Sequence, residues 1–187
     1  ICSTYAATPL VQQQMESEAR SLYQTHASLT GGYAGISTTL STNPEVKITA
    51  KEIPPHEPLT LWYKEPATNW VTQALPIGGG DFGAMIFGGI AQDRIQFNHK
   101  TLWKGSAKTG DLGSYLNFGE LYIINKESAP ASDYQRSLNL KEAIAQVEYT
   151  QNGIDFRKEY LASYPNKVIA IRYTASKGHP LNLELQL

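Results

Sequence analysis

The feature that most constrains this chain is the two-residue period of its apolar side chains after Pro58. Leu181, Leu183, Leu185 and Leu187 alternate with Asn182, Glu184 and Gln186. Successive side chains of a strand point to opposite faces, so this spacing demands one buried face and one wet face. Ala145, Val147 and Tyr149 fall on one face in the same way. Gln151-Asn152-Gly153 then turns the chain, and Ile154 and Phe156 continue on a return strand. Asn-Gly accepts the positive φ that a tight hairpin needs. Residues 83–90 read as a buried strand, Ala91-Gln92-Asp93 as a turn, and Arg94-Ile95-Gln96-Phe97 as the second arm of a hairpin. Residues 121–124 and 135–140 supply further strands, and the mostly apolar Val168–Ala175 predicts a central one. The expectation is a mostly β fold, an antiparallel β-sandwich, with almost no helix after Pro58. The last strand meets no stop signal, which predicts truncation within a larger β-domain.

The first 58 residues have a different texture. Thr8 is a good N-cap, Pro9 a good first helical residue, and Val11, Met15, Ala19, Leu22 and Tyr23 share one helical face. A short helix is expected over residues 8–26, stopped by Gly31-Gly32. Its polar face is rich in Gln and Glu, so its apolar stripe suits a neighbouring domain better than a membrane. Pro54-Pro55-His56-Glu57-Pro58 is a stiff linker, because each proline fixes its own φ and extends its predecessor. A boundary at Pro58 divides the chain into 1–58, helix and Pro/Ser/Thr-rich linker, and 59–187, the sandwich.

Composition excludes several functions. Net charge is −1 with interspersed signs, so no basic stripe offers itself to nucleic acid. Cys2 is the only cysteine, which rules out an internal disulfide and a thiolate metal cage. No apolar run approaches the ~18 residues of a membrane span. Tyr5-Ala6-Ala7 reads either as the end of a processed signal peptide or as an arbitrary start. A lipid anchor at Cys2 stays open, although Ile1 is a poor predecessor for one. Eleven Tyr against five Phe make the aromatics mostly amphipathic, a mix that suits sugar contact and plain secreted sandwiches alike.

Most motif matches carry no chemistry. Gly78-Gly79-Gly80-Asp81-Phe82-Gly83 spells G-x-G-x-x-G, but a strand follows where a dinucleotide site needs a helix N-terminus. Asp81-Phe82-Gly83 lacks the catalytic loop and phosphate loop of a kinase. His26, His56, His99 and His179 lie far apart, with no metal-ligand spacing. No two carboxylates stand out as a catalytic couple. Neither a metal, a cofactor nor a catalytic residue is assigned. The segment Asn98-His99-Lys100-Thr101-Leu102-Trp103 is different, because it puts hydrogen-bonding groups and a flat ring at a strand end. It reads either as a binding or interface loop, or as a plain strand-end turn with Trp103 capping the core and Thr101 closing the turn.

The serial order LWYKEPATNW, ALPIGGGDFGAMIFGG, DRIQFNHKTLWKG, YLNFGELYI and YTQNGIDFRKEY resembles the N-terminal β-domain of glycoside hydrolase family 95, the inverting α-L-fucosidases and α-L-galactosidases. The likeness covers residues 61–187. It implies a β-sandwich of super-sandwich type, non-catalytic, joined in a secreted bacterial enzyme to a C-terminal (α/α)6 domain that holds the catalytic groups. That missing domain and, through it, an oligosaccharide substrate are the implied partners, with a secreted or periplasmic location. The family's G-N-G-x-L-G and N-E-x-T-L-W blocks appear here with Gly79 in place of Asn and His99 in place of Glu, and the segment between Trp103 and Phe118 is short. Asn98, His99, Thr101 and Trp103 are the candidate substrate-binding residues. A stand-alone carbohydrate-binding or adhesion sandwich is the alternative.

Overall fold

A computed structural model describes residues 46–106, 111–127 and 129–187. The expected helix over residues 8–26, Cys2 and the rest of the first 45 residues lie outside the described residues. Within them the chain is built from strands, and the only helical element is a single 3-10 turn at Ser176–Gly178. No helix there is long and apolar enough to cross a membrane.

One sheet carries β1 (Ile48–Ala50), β2 (Thr60–Tyr63), β9 (Ala131–Asn139), β10 (Ile144–Gln151), β11 (Ile154–Ser163) and β12 (Val168–Ala175). The other has the order β13-β8-β5-β4-β3, with β3 at Leu75–Gly78, β4 at Phe82–Ile86, β5 at Gln92–His99, β8 at Gly119–Asn125 and β13 at Leu183–Gln186. A two-stranded ribbon, β6 (Trp103–Ser106) with β7 (Asp111–Tyr115), stands apart. Every pairing is antiparallel except β1 with β9. β1 and β2 share the same edge of β9, β1 beside residues 131–134 and β2 beside residues 136–139.

The period-two pattern explains the packing. Ala145, Val147 and Tyr149 of β10 and Phe156 and Tyr160 of β11 turn inward against Leu75, Ile77, Ala84, Ile86, Ile95 and Ile123 of the facing sheet. The β10–β11 turn is the tight hairpin that Asn-Gly predicts, with φ of 51° at Asn152 and 70° at Gly153.

Three details correct the sequence reading. The sandwich begins ahead of Pro58, because Ile48–Ala50 pairs with β9 and the Gln135 side chain donates to the Ile53 carbonyl at 2.8 Å. Val168–Ala175 is an edge strand among the described residues, paired only with β11. Its inward Ile169, Ile171, Tyr173 and Ala175 are only partly buried, so its apolar run reflects a half-covered face rather than two neighbours. The strand expected over residues 83–90 ends at Ile86, and Asp93, expected in a turn, sits in β5 and is fully buried.

Asp93 has left the turn because it organises one. Its Oδ1 accepts the amides of Gly88 and Gly89 at 2.9 and 3.2 Å, and its Oδ2 accepts from Tyr160 and from Lys158 Nζ, the latter at 3.3 Å. Lys158 also donates to the Gly89 carbonyl at 2.6 Å, and Tyr134 donates to the Gly88 carbonyl at 2.8 Å. A Cβ at Gly89 would lie 2.0 Å from the Gln92 carbonyl oxygen, so only glycine fits this turn. The second buried cation, Arg136, donates to the carbonyls of Glu65 and Gln73 at 2.6 and 2.7 Å and lies over the Tyr63 ring. Both cations are thus supplied with acceptors, as burial of charge requires.

Candidate functional site

At one end of the sandwich the turn between β3 and β4, the end of β5 and the turn between β11 and β12 enclose a cleft of about 510 Å³. Phe82, Phe97, Leu102, Phe118, Tyr164 and Ile169 form its apolar lining, and Gly79, Asp81, Asn98, His99, Thr101 and Lys167 its polar lining. Of the four expected binding residues, Asn98, His99 and Thr101 are therefore brought together and Trp103 is not.

The backbone explains the placement. Asn98 and His99 still belong to β5, paired with Gly83 and Phe82. The chain then turns at Lys100, whose amide donates to the Asp81 carbonyl at 2.7 Å and whose Nζ pairs with Asp81 Oδ1 at 2.5 Å. The Leu102 amide closes the turn on the His99 carbonyl at 2.9 Å. His99 Nδ1 lies 2.8 Å from Thr101 Oγ1 and 3.3 Å from the Thr101 amide nitrogen. A backbone N–H only donates, so Nδ1 accepts and the proton of the neutral ring is assigned to Nε2. Nε2 itself has no partner among the described residues, which leaves it a donor for whatever enters.

The glycines serve the rings. Gly80 has φ of 80°, and a Cβ there would lie 2.8 Å from the Tyr164 ring; a Cβ at Gly79 would lie 2.4 Å from Phe82 Cζ. Both rings rest on glycine backbone, which is why G-G-G stands here without any phosphate to cradle. Tyr164 is 64% exposed. Also in the lining, Phe97 and Phe118 meet edge to face at 5.4 Å. Lys100 holds the Asp81 carboxyl below its ordinary 3.8, with smaller help from His99 and Lys167, and Asp81 raises Lys100 in return. Among the described residues Asp81 is the only carboxylate lining the cleft. Among the described residues no three His, Cys, Asp or Glu come together to hold a metal.

Trp103 opens β6 instead. Its ring lies across the backbones of Gly105 and Gly113, where a Cβ would approach within 2.6 and 2.1 Å. It is 50% exposed, so the core-cap alternative does not describe it. Sequence reasoning missed Asp81, Phe82, Tyr164 and Lys167 as cleft residues. Tyr164-Pro165-Asn166-Lys167 does carry a signal, an aromatic ring placed on turn-forming residues where burial is least expected.

The sequence profile described as glycosyl hydrolase family 65, N-terminal domain, matches residues 61–111 and 106–187. The chain belongs to that family. The family number differs from the 95 of the sequence resemblance, while the kind of domain agrees. Among curated proteins, an alpha-L-fucosidase 2 of Arabidopsis thaliana is 28% identical over 165 residues, and a probable alpha-fucosidase A of Aspergillus niger is 24% identical over 172. Each alignment covers 68% of this chain but only 20% and 22% of the relative. The chain spans about a fifth of the length of these curated relatives.

Proposed function

We propose that this chain is the non-catalytic N-terminal β-domain of a fucosidase-type glycoside hydrolase, of the family 95 kind, acting on α-L-fucosides or α-L-galactosides. Its partner is a catalytic domain outside the described sandwich. The sandwich supports that domain, and the segment at residues 98–103 faces it or the sugar it holds. One observation carries the reading: among the described residues the cleft has a single carboxylate, Asp81, which pairs with Lys100. Glycoside hydrolysis needs two carboxyl groups across the scissile bond, or an equivalent base. The two fucosidase relatives support the substrate class. The chain alone should show no turnover of nitrophenyl α-L-fucoside or α-L-galactoside at high protein concentration. Turnover that survives repurification and vanishes on replacing one carboxylate of this chain would overturn the proposal.

A further inference from the structure

Resting on that fucosidase-type reading, we propose that the cleft between the β3–β4 and β11–β12 turns is itself a saccharide site, selective for a 6-deoxyhexose such as an α-L-fucoside. Three observations meet there. The Tyr164 ring is backed by the Gly80 backbone on one face and is 64% exposed, so it offers a supported flat platform rather than a core side chain. The lining holds a second aromatic group, the Phe97–Phe118 pair, of which Phe118 is 60% exposed. Among the described residues two polar groups have no hydrogen-bond partner: His99 Nε2, since Thr101 engages Nδ1, and Lys167 Nζ, which acts on Asp81 only through its charge.

A pyranoside matches this inventory. It carries an apolar face of C–H bonds for a ring and hydroxyls for a few convergent donors, and the cleft volume is that of an ordinary small-ligand site. The choice of sugar rests on the fucosidase relatives together with the apolar lining. L-Fucose is L-galactose without its 6-hydroxyl. A methyl group rests on phenylalanine without loss, whereas a hydroxyl there forfeits its hydrogen bonds to water.

The test is a titration of the 187-residue chain with methyl α-L-fucoside and methyl α-L-galactoside, followed by amide NMR shifts. The expected result is saturation of the fucoside in the millimolar range, about −4 kcal/mol. Shifts should be confined to residues 79–82, 97–102, 118 and 164–169, with the galactoside about tenfold weaker. Tyr164→Ala should weaken fucoside binding about tenfold, and Tyr164→Phe should retain it, since the ring and not the hydroxyl is the platform. Tyr164 is exposed, and an unchanged thermal melt of both variants separates lost binding from lost folding. Equal affinities for the two sugars, shifts elsewhere, or no saturation would overturn the site. A chain that binds neither sugar, in a longer protein that hydrolyses fucosides, sinks the cleft proposal alone. A chain that binds fucoside in this cleft, in a longer protein that hydrolyses none, sinks the hydrolase reading and leaves the site standing.

Discussion

The molecule contains two Asp–Lys pairs that look alike in sequence and differ in every physical respect. Asp93–Lys158 joins the two sheets in the interior, with side-chain exposures of 0% and 1%. Asp81–Lys100 ties two turns at the cleft, with exposures of 39% and 60%. In the first, every polar atom has a protein partner, because water cannot serve. Asp93 accepts from two amides, a tyrosine and a lysine, and burial pushes the Tyr160 hydroxyl far up while pulling the Lys158 ammonium down. In the second, water competes for both charges, and the pair positions a loop more than it stabilises a fold. Interior charge specifies structure here, and surface charge specifies the shape of a site.

Breaking the interior pair should give the largest effect. Asp93→Ala leaves a buried ammonium, a buried hydroxyl and two amides without their acceptor. Removing one partner of a buried pair costs about 3–5 kcal/mol. Urea denaturation of the chain should show that loss, and the double replacement Asp93→Leu with Lys158→Met should lose less than the single one. A single substitution costing no more than the double would mean that the network does not hold the sheets together.

The two pairs also differ in how far they could be read in advance. Strand positions were legible wherever alternation runs unbroken: Ala145, Val147 and Tyr149 are buried as the period requires, and Asn152-Gly153 turns where it should. Asp93 was not, since its burial depends on Lys158, 65 residues away, and no local pattern announces a partner that distant. The edge position of β12 was hidden for a related reason. An apolar run reports burial of faces, not the number of neighbouring strands. At the cleft, Asn98, His99 and Thr101 were legible as a polar strand end. Tyr164 and Lys167 were not, because they arrive from the other sheet.

Trp103 sits between the two regimes and sharpens the contrast. Its ring covers Gly105 and Gly113 on the β6–β7 ribbon but is half in water. Trp103→Ala should therefore cost the chain about 1 kcal/mol, well short of the 3–5 kcal/mol of a buried aromatic. In a longer protein containing the catalytic domain, the same substitution should cost more, because a tryptophan buried at an interface is worth ~2 kcal/mol or more. Iodide quenching in a variant lacking Trp62 and Trp70 gives the direct reading. Full protection of Trp103 in the isolated chain would contradict its half-exposed position.

The smallest effect is expected at Asp81–Lys100, and pH separates it from the interior pair. Asp81 has its folded-state pKa depressed, first by the Lys100 hydrogen bond and then by the Lys100 charge. A depressed carboxylate contributes stability that is complete above its unfolded pKa, near 3.8, and is lost as pH falls through the lower folded value. Lys100 has its pKa raised, so its contribution is complete below its ordinary 10.5 and is lost only above that. Between these limits the pair is intact, and Asp81→Asn at neutral pH should barely move a thermal melt. Its consequence is local: the amide of Lys100 keeps its bond to the Asp81 carbonyl, but the Nζ tether is gone. Amide shifts at residues 98–102 should then change while the β10–β11 hairpin stays silent. On acidification below about pH 4 the wild-type chain should lose the same tether, with amide shifts at residues 98–102. No change at residues 98–102 in either experiment would show that the Lys100 tether does not position this turn.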